Sequence, residues 1–337
     1  MKGCCGVRKT DNAKLMFLIY AVVTLFLMFC LTSGCGKGVG ASPSIEYREF
    51  VDYQGTRVKI PKKPKRVLTL ALSFDVMAMG VVPPERFVAV NAYASDPGIS
   101  CIVKESAVIE PKLQIYPLET VLKLKPDLII ASTWTRPEMI DCYRDVGFNV
   151  IVLKGPNTIE EVEQDIKMLA DALGEEESGQ KVLTEMHKQL KEIDSTLAKL
   201  RQPPPVGMLV SQMTSYGGKG CMFDVLCTRA RVTNGIAKMG LINGQYVPKE
   251  LVVACDPDFF MLSATRQQST VASKKFQQAY LKDPALTGLR GLQNISFIPD
   301  RHLYSASQNC VYAIKGIANN AYGQIFDLRD EHLIKGY

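Results

Sequence analysis

Apolar residues near the middle of the chain recur at helical spacing over a long stretch. Across residues 175–201 (EEESGQKVLTEMHKQLKEIDSTLAKLR), Met186, Leu190, Ile193, Leu197 and Leu200 follow one another at steps of four, three, four and three. That spacing places them on one stripe of a single helix. Lys181, Glu185, Lys188, Lys191, Glu192 and Lys199 fall off the stripe and are expected to face water. Glu175, Glu176 and Glu177 suit the positive end of a helix dipole, and Lys199 and Arg201 suit the negative end. Pro203, Pro204 and Pro205 then forbid continuation. At about 1.5 Å per residue the helix spans roughly 40 Å, the width of a domain. Taken alone, the pattern fits an amphipathic helix packed on one core. The likeness of the chain on its two sides favours a strut between two lobes.

Ahead of the strut, Gly55 reads as the turn of a hairpin and residues 66–72 as the first buried strand. Strands are expected at 87–93, 128–133 and 150–153, with helical patterns at 74–80, 118–124 and 136–146. Strand, helix, strand in this order predicts a parallel sheet with helices on its faces. Thr158, with Glu161 three places on, forms a capping box for a further helix that Gly174 closes. After the strut the rhythm returns. A strand is expected at 206–212, a mostly helical run at 223–239, a short helix at 250–254 and a strand at 259–264. Strands at 295–299 and 303–305 follow, and a last helix runs from about residue 311 to 328.

An internal repeat ties the halves together. Residues 116–132 (YPLETVLKLKPDLIIAS) and 247–263 (VPKELVVACDPDFFMLS) align without a gap at a constant offset of 131. Pro117 matches Pro248, Glu119 matches Glu250, Pro126 matches Pro257, Asp127 matches Asp258 and Ser132 matches Ser263. Any helix, Pro-Asp, strand unit shares the general pattern, but five identities with one copy on each side of the strut point to two related lobes. The fold class expected is therefore α/β: two similar lobes at 45–174 and 202–337, each a mostly parallel sheet flanked by helices, joined by one long helix at 175–201.

Composition adds little to this and charge adds a leader. Of 337 residues, 47% are apolar and 22% charged, ordinary globular material with room for two domains. The net charge of +6 makes no case for nucleic acid, and part of it sits in Lys2, Arg8, Lys9 and Lys14. Those basic residues precede an apolar run at 15–31 and then Thr32-Ser33-Gly34-Cys35. This resembles a bacterial lipoprotein signal at 1–35, in which Cys35 carries lipid and becomes the mature N-terminus. Thr32 departs from the usual leucine, and a retained transmembrane helix is the rival reading. Either way the body is exported, on the outer face of the cytoplasmic membrane or in the periplasm. Residues 36–44 form a flexible tether. Cys101, Cys142, Cys221, Cys227, Cys255 and Cys310 remain in the body. Disulfides, with Cys221 and Cys227 the nearest pair, and buried free thiols both stay open.

Several stretches together resemble the solute-binding proteins of ABC importers that capture ferric siderophores, cobalamin or haem. They are DYQGTRVKIPKKPKRVLTL, LETVLKLKPDLIIAS, GFNVIVL, TIEEVEQDIKMLADALG, RVTNGIAKMG and PKELVVACDPDFFMLSA, with the pattern from Asp283 to Phe297. The likeness runs from about Asp52 to Leu328. It implies two lobes on one long helix, modest closure and a largely pre-formed cleft. It also implies one exposed carboxylate per lobe, Glu119 and Glu250 here, each docking on arginines of one subunit of a permease dimer that works with ATPase subunits. A lone glutamate at such a place is otherwise a solvated helix residue; the repeat and the resemblance give this pair its role.

Ligand contacts are expected at the carboxyl ends of the strands. The candidates are Ser73, Phe74, Tyr93, Trp134 and Arg136 in the first lobe, and Tyr216, Arg266, Arg301, His302 and Tyr304 in the second. Aromatic faces suit a large planar or apolar-rimmed ligand, and Arg136, Arg266 and Arg301 converging on an anion would favour a ferric siderophore over cobalamin. Haem stays open through Tyr216, Tyr304 or His302 as axial ligand. With only His187, His302 and His332, a bare metal site held directly by the protein is disfavoured, and no intrinsic cofactor is expected. The same kind of lobe occurs in nitrogenase-like and chelatase enzymes, but no nucleophile elbow, catalytic triad or cluster-holding cysteine spacing is present. A ligand sensor is the third class.

Overall fold

The structure is a computed structural model that describes residues 46–211, 213–264, 278–304 and 306–337. The leader, Cys35, the tether and Arg266 lie outside the described residues. β1 (Tyr47–Val51) and β2 (Arg57–Pro61) pair antiparallel around Gly55, whose φ of +80° needs a residue without a Cβ. Asp52 is buried in this turn and accepts from the amides of Gln54 and Thr56 with one oxygen. Its other oxygen accepts from the amide of Val152 and from Arg144, which staples the hairpin to the first lobe.

That lobe is built on β3 (Val67–Thr69), β4 (Val90–Asn91), β5 (Lys112–Leu113), β6 (Leu128–Ser132) and β7 (Val150–Leu153). β3, β6 and β7 form one parallel sheet in the order β3-β6-β7, and β4 pairs in parallel with β5. Every residue of β3, β6 and β7 is buried, as a sheet covered on both faces requires. The second lobe carries β8 (Val206–Val210), β9 (Thr233–Asn234), β10 (Phe259–Ala264) and β11 (Ile295–Pro299), all parallel in the order β11-β10-β8-β9.

The repeat is repeated in three dimensions. Helices Leu118–Leu124 and Lys249–Cys255 begin after Pro117 (φ −67°, ψ 144°) and Pro248 (φ −66°, ψ 145°). They end on left-handed residues, Lys125 (φ 47°) and Asp256 (φ 42°). The carboxylates of Asp127 and Asp258 both accept amides at the start of the neighbouring strand, from Lys65 and Arg66 in one lobe and Val206 in the other. Asn149 and Asn294 each donate to the carbonyl of the same aspartate.

The long helix forms over Glu176–Leu197, shorter at its C-terminus than the 175–201 expected. Arg231 donates to the carbonyls of Leu197 and Leu200, and so caps the end before the prolines are reached. Val182, Met186, Ile193 and Leu197 are buried on its apolar stripe. The helix packs on Ile159–Leu173 and Leu72–Val81 of the first lobe and on Cys310–Tyr322 of the second, so both lobes lie along it. Residues Glu46–Tyr337 form one compact unit.

Four expectations need correction. The strand at 87–93 shrinks to Val90–Asn91, with Phe87 making only an isolated bridge to Val67. The run 223–239 breaks into Met222–Arg229 and Gly235–Lys238, because Arg231 turns left-handed (φ 56°) and Asn234 joins β9. No strand forms at 303–305 among the described residues: Asp300–Leu303 is a helical turn, held by Ser263 Oγ donating to Asp300. The last helix stops at Tyr322, where Asn319 bonds back to both the amide and the carbonyl of Phe326.

The chain after that helix is irregular yet buried. Leu333 and Ile334 are covered, and the amide of Gly336 donates to Gly80 of the first lobe. Gln308 bridges the carbonyls of Val76 and Ile334.

Candidate functional site: the strand ends between the lobes

Parallel strands send all their carboxyl ends to one side, and the loops that leave them meet across the lobes. Arg301, directly after β11, donates from its backbone amide to the carbonyl of Gly98 and from its guanidinium to that of Pro97, in the loop beyond β4. The chain after β11 of the second lobe thus lies against the loop beyond β4 of the first.

On the first lobe the wall is aromatic. Phe74 is fully buried, and its ring lies 6.3 Å from that of Trp134 at an interplanar angle of 58°. Trp134 follows β6 and is 50% exposed. It rests on Gly155, where an added Cβ would stand 2.1 Å from Trp134 Cε2. Thr133 Oγ1 holds that glycine by accepting from its amide at 2.9 Å. Tyr93, after β4, is partly exposed, and Ser73 is half-buried at the start of helix Leu72–Val81. Beneath them Thr69 Oγ1 donates to the buried Asp75, which also accepts from the amide of Asn91 at 2.9 Å. Burial pushes the Asp75 carboxyl up to about 7.

On the second lobe Tyr216 and Tyr304 pack with ring centroids 4.9 Å apart. The Tyr304 hydroxyl shares a 2.7 Å hydrogen bond with Ser211 Oγ, and the Tyr216 hydroxyl donates to the carbonyl of Leu303 at 3.1 Å. Burial pushes the Tyr304 phenol up to about 12 and the Tyr216 phenol well above its usual value. Both hydroxyls are engaged with protein partners in this structure.

Two predicted ligand residues turn out to be braces. Arg301 makes a two-pronged bond to Glu331, at 2.9 Å for each prong, and the buried His302 pairs with the same carboxylate at 2.9 Å. Burial pushes the Glu331 carboxyl up, but hydrogen bonds from His302 and Arg301 outweigh it and hold the group at about 2. Arg301 is taken up by these bonds, and His302 is buried with its other ring nitrogen, Nδ1, unpartnered. Arg136 is exposed and lines a hollow of about 420 Å³ with Tyr116, Leu118 and Cys142, on the shoulder of helix Leu118–Leu124. Arg136 and Arg301 thus serve different places, one on a helix shoulder and one in the brace, and Arg266 lies outside the described residues. Among the described residues, no group of three or more His, Cys, Asp or Glu side chains converges to hold a metal.

Glu119 and Glu250 are exposed at the second position of their matching helices, and neither forms an ion pair among the described residues. All six body cysteines are free thiols. Sequence reasoning missed a second repeat beneath the cleft. Phe74-Asp75 and Phe223-Asp224 each place a buried ring beside an aspartate that accepts from an asparagine, Asn91 or Asn234. Each asparagine in turn caps the next turn, accepting from Tyr93 or Ile236. The recurring Phe-Asp, with an Asn ahead of a short turn, was the available signal.

A family model for the periplasmic binding proteins matches residues 105–299, more than half of the chain. The chain belongs to the periplasmic binding protein family. Among curated members, it is 25% identical over 182 residues to the putative ABC transporter substrate-binding lipoprotein YhfQ of Bacillus subtilis (strain 168), covering 51% of this chain and 54% of that one. The uncharacterized lipoprotein YvrC of the same organism is 24% identical over 179 residues, 50% of this chain and 55% of that one. The chain spans about half the length of the curated relatives it matches. Among solved structures, Helicobacter pylori CeuE in a nickel–histidine complex superposes with a TM-score of 0.66 at 19% identity, over 85% of this chain and 91% of that one. The haem-binding RhuT of Roseiflexus sp. RS-1 gives 0.64 at 19%, over 78% and 99%. The molybdate-binding MolA of Haemophilus influenzae gives 0.65 at 17%, over 84% and 94%. These likenesses fix the family's bilobal fold. Among the described residues no helix is long and apolar enough to cross a membrane.

Proposed function

We propose that this periplasmic binding protein is the substrate-binding component of an ABC importer, and that it captures a bulky iron chelate with aromatic or planar faces. The observation that carries the reading is the half-exposed Trp134, seated on Gly155 just after β6, with Tyr93 exposed just after β4. Large exposed aromatics at strand ends offer flat apolar area to a ligand face. A ferric siderophore or related complex brings its own donor atoms, which suits a site where the Tyr216 and Tyr304 hydroxyls already hold protein partners. Haem and cobalamin belong to the same test set, and relatives of this fold include haem-binding proteins. Glu119 and Glu250, equivalent and without an ion pair among the described residues, suit docking on a two-subunit permease through arginine forks. A lipid anchor at Cys35 accords with the lipoprotein relatives.

Trp134 is the chain's single tryptophan, so its fluorescence reports on this wall alone. Titration of the purified protein with ferric catecholate and hydroxamate siderophores, cobalamin and haemin is expected to give saturable quenching by one of them. A flat response to all four, with calorimetry equally silent, removes the assignment.

A further inference from the structure

We propose that the hollow beside the carboxyl end of β8 is a subsite for one uncharged aromatic arm of the captured ligand. The inference rests on the chelate-binding reading and narrows its substrate class. The hollow has a volume of about 370 Å³. Whole-ligand pockets run from about 300 to 1,000 Å³, so this one, near the lower bound, has room for an aryl arm of a chelate but not for the whole of a bulky one.

Its walls specify the arm's chemistry. Tyr216, Tyr246 and Tyr280 line it, with Met213 exposed at its rim. Three rings and a thioether favour a flat aromatic guest. Tyr216 is held rigid by its bond to the Leu303 carbonyl and by the Tyr304 ring, so this wall is formed before any ligand arrives. Lys249 and Asp283 are the charged side chains among the lining residues, and they pair with each other. A charged arm would lose its hydration here and find no free counter-charge among the described lining residues. Tyr216 and Ser211 belong both to this hollow and to the Tyr304 cluster at the cleft, so one ligand can reach both.

The test uses iron-free 2,3-dihydroxybenzamide, a neutral aryl amide, against benzoate, a ring of similar size that carries charge. Tyrosine ring signals followed by NMR are expected to shift saturably with the amide at Tyr216, Tyr246 and Tyr280. Benzoate is expected to bind at least about tenfold more weakly. Ala279→Trp, at the exposed rim of the hollow, should weaken the amide by about tenfold or more at unchanged thermal stability, and Thr214→Trp is a second block from another edge. Absent shifts, shifts elsewhere in the protein, equal binding of benzoate, or full binding in both blocked variants would overturn the subsite. The probe carries no iron, so the two readings fail separately. Ferric chelates that quench Trp134 while the amide does not bind refute the subsite alone; an amide that binds while no chelate quenches leaves the subsite and removes the iron reading.

Discussion

Glu331→Gln is the sharpest test of the brace that holds Arg301, the residue that reaches across to the first lobe. The carboxylate is 12% exposed, receives a two-pronged bond from Arg301 and pairs with His302. Its folded pKa of about 2 lies below the ordinary value of 4.5. At about 1.4 kcal/mol per pH unit, that difference corresponds to roughly 3 kcal/mol of stability in the ionised state. The sign follows from the depressed pKa: the contribution is complete above about pH 4.5 and fades as pH falls toward about 2. Glutamine keeps the shape and one acceptor oxygen but removes the charge. Reversible urea unfolding at pH 7 is expected to show the variant less stable by about 3 kcal/mol, with a midpoint temperature lower by roughly 5 °C for a unit of this size. At pH 3 the gap should shrink to less than half, because the wild-type group has lost most of its advantage there. A gap under about 0.5 kcal/mol at pH 7, within the range of ordinary surface changes, would refute the brace, and so would a gap that stays constant down to pH 3.

Three further outcomes follow from the site. Gly155→Ala places a methyl within 2.1 Å of the Trp134 ring and should push the indole into water; the emission should move to the red and chelate affinity should fall about tenfold, and an unchanged spectrum would contradict the seat described here. Reversing both Glu119 and Glu250 to arginine should abolish uptake in cells while chelate affinity measured on the purified protein stays the same; retained uptake sinks the docking role. In the chain from Glu46 onward, Cys142 alone should react with an aromatic disulfide reagent at pH 8 while folded, since four thiols are buried and burial raises Cys101 to about 12; all six should react after unfolding, and a second native equivalent would contradict the burial.

Local signals carried much of this architecture in the sequence. Thr158 and Glu161 mark the start of helix Ile159–Leu173 and Gly174 its end, because capping is decided within a few residues. The 131-residue offset between Glu119 and Glu250 showed the lobes because both copies keep the same turn chemistry at Pro117 and Pro248. The arginines were illegible for the opposite reason. Whether Arg301 meets a ligand or a carboxylate depends on Glu331, which reaches it from a segment with no regular structure. The turn at Asp300–Leu303 likewise depends on Ser263, which lies on another strand. Position at a strand end could be read from periodicity, but the partner of each polar group could not. Among the aromatic candidates, Phe74 packs with Trp134 and Tyr216 with Tyr304, contacts between neighbouring strand ends that periodicity alone does not specify.

The closing segment has a consequence for how the protein comes into being. Gln308 bonds to Val76 across 232 residues of chain, and Gly336 bonds to Gly80. Helix Leu72–Val81 therefore lacks part of its cover until nearly all of the polypeptide is available. Contacts so distant in sequence require long loops to close before they add stability, which slows folding. A chain cut before Gln308 would leave that helix partly bare, so the two lobes complete their fold together and not one after the other.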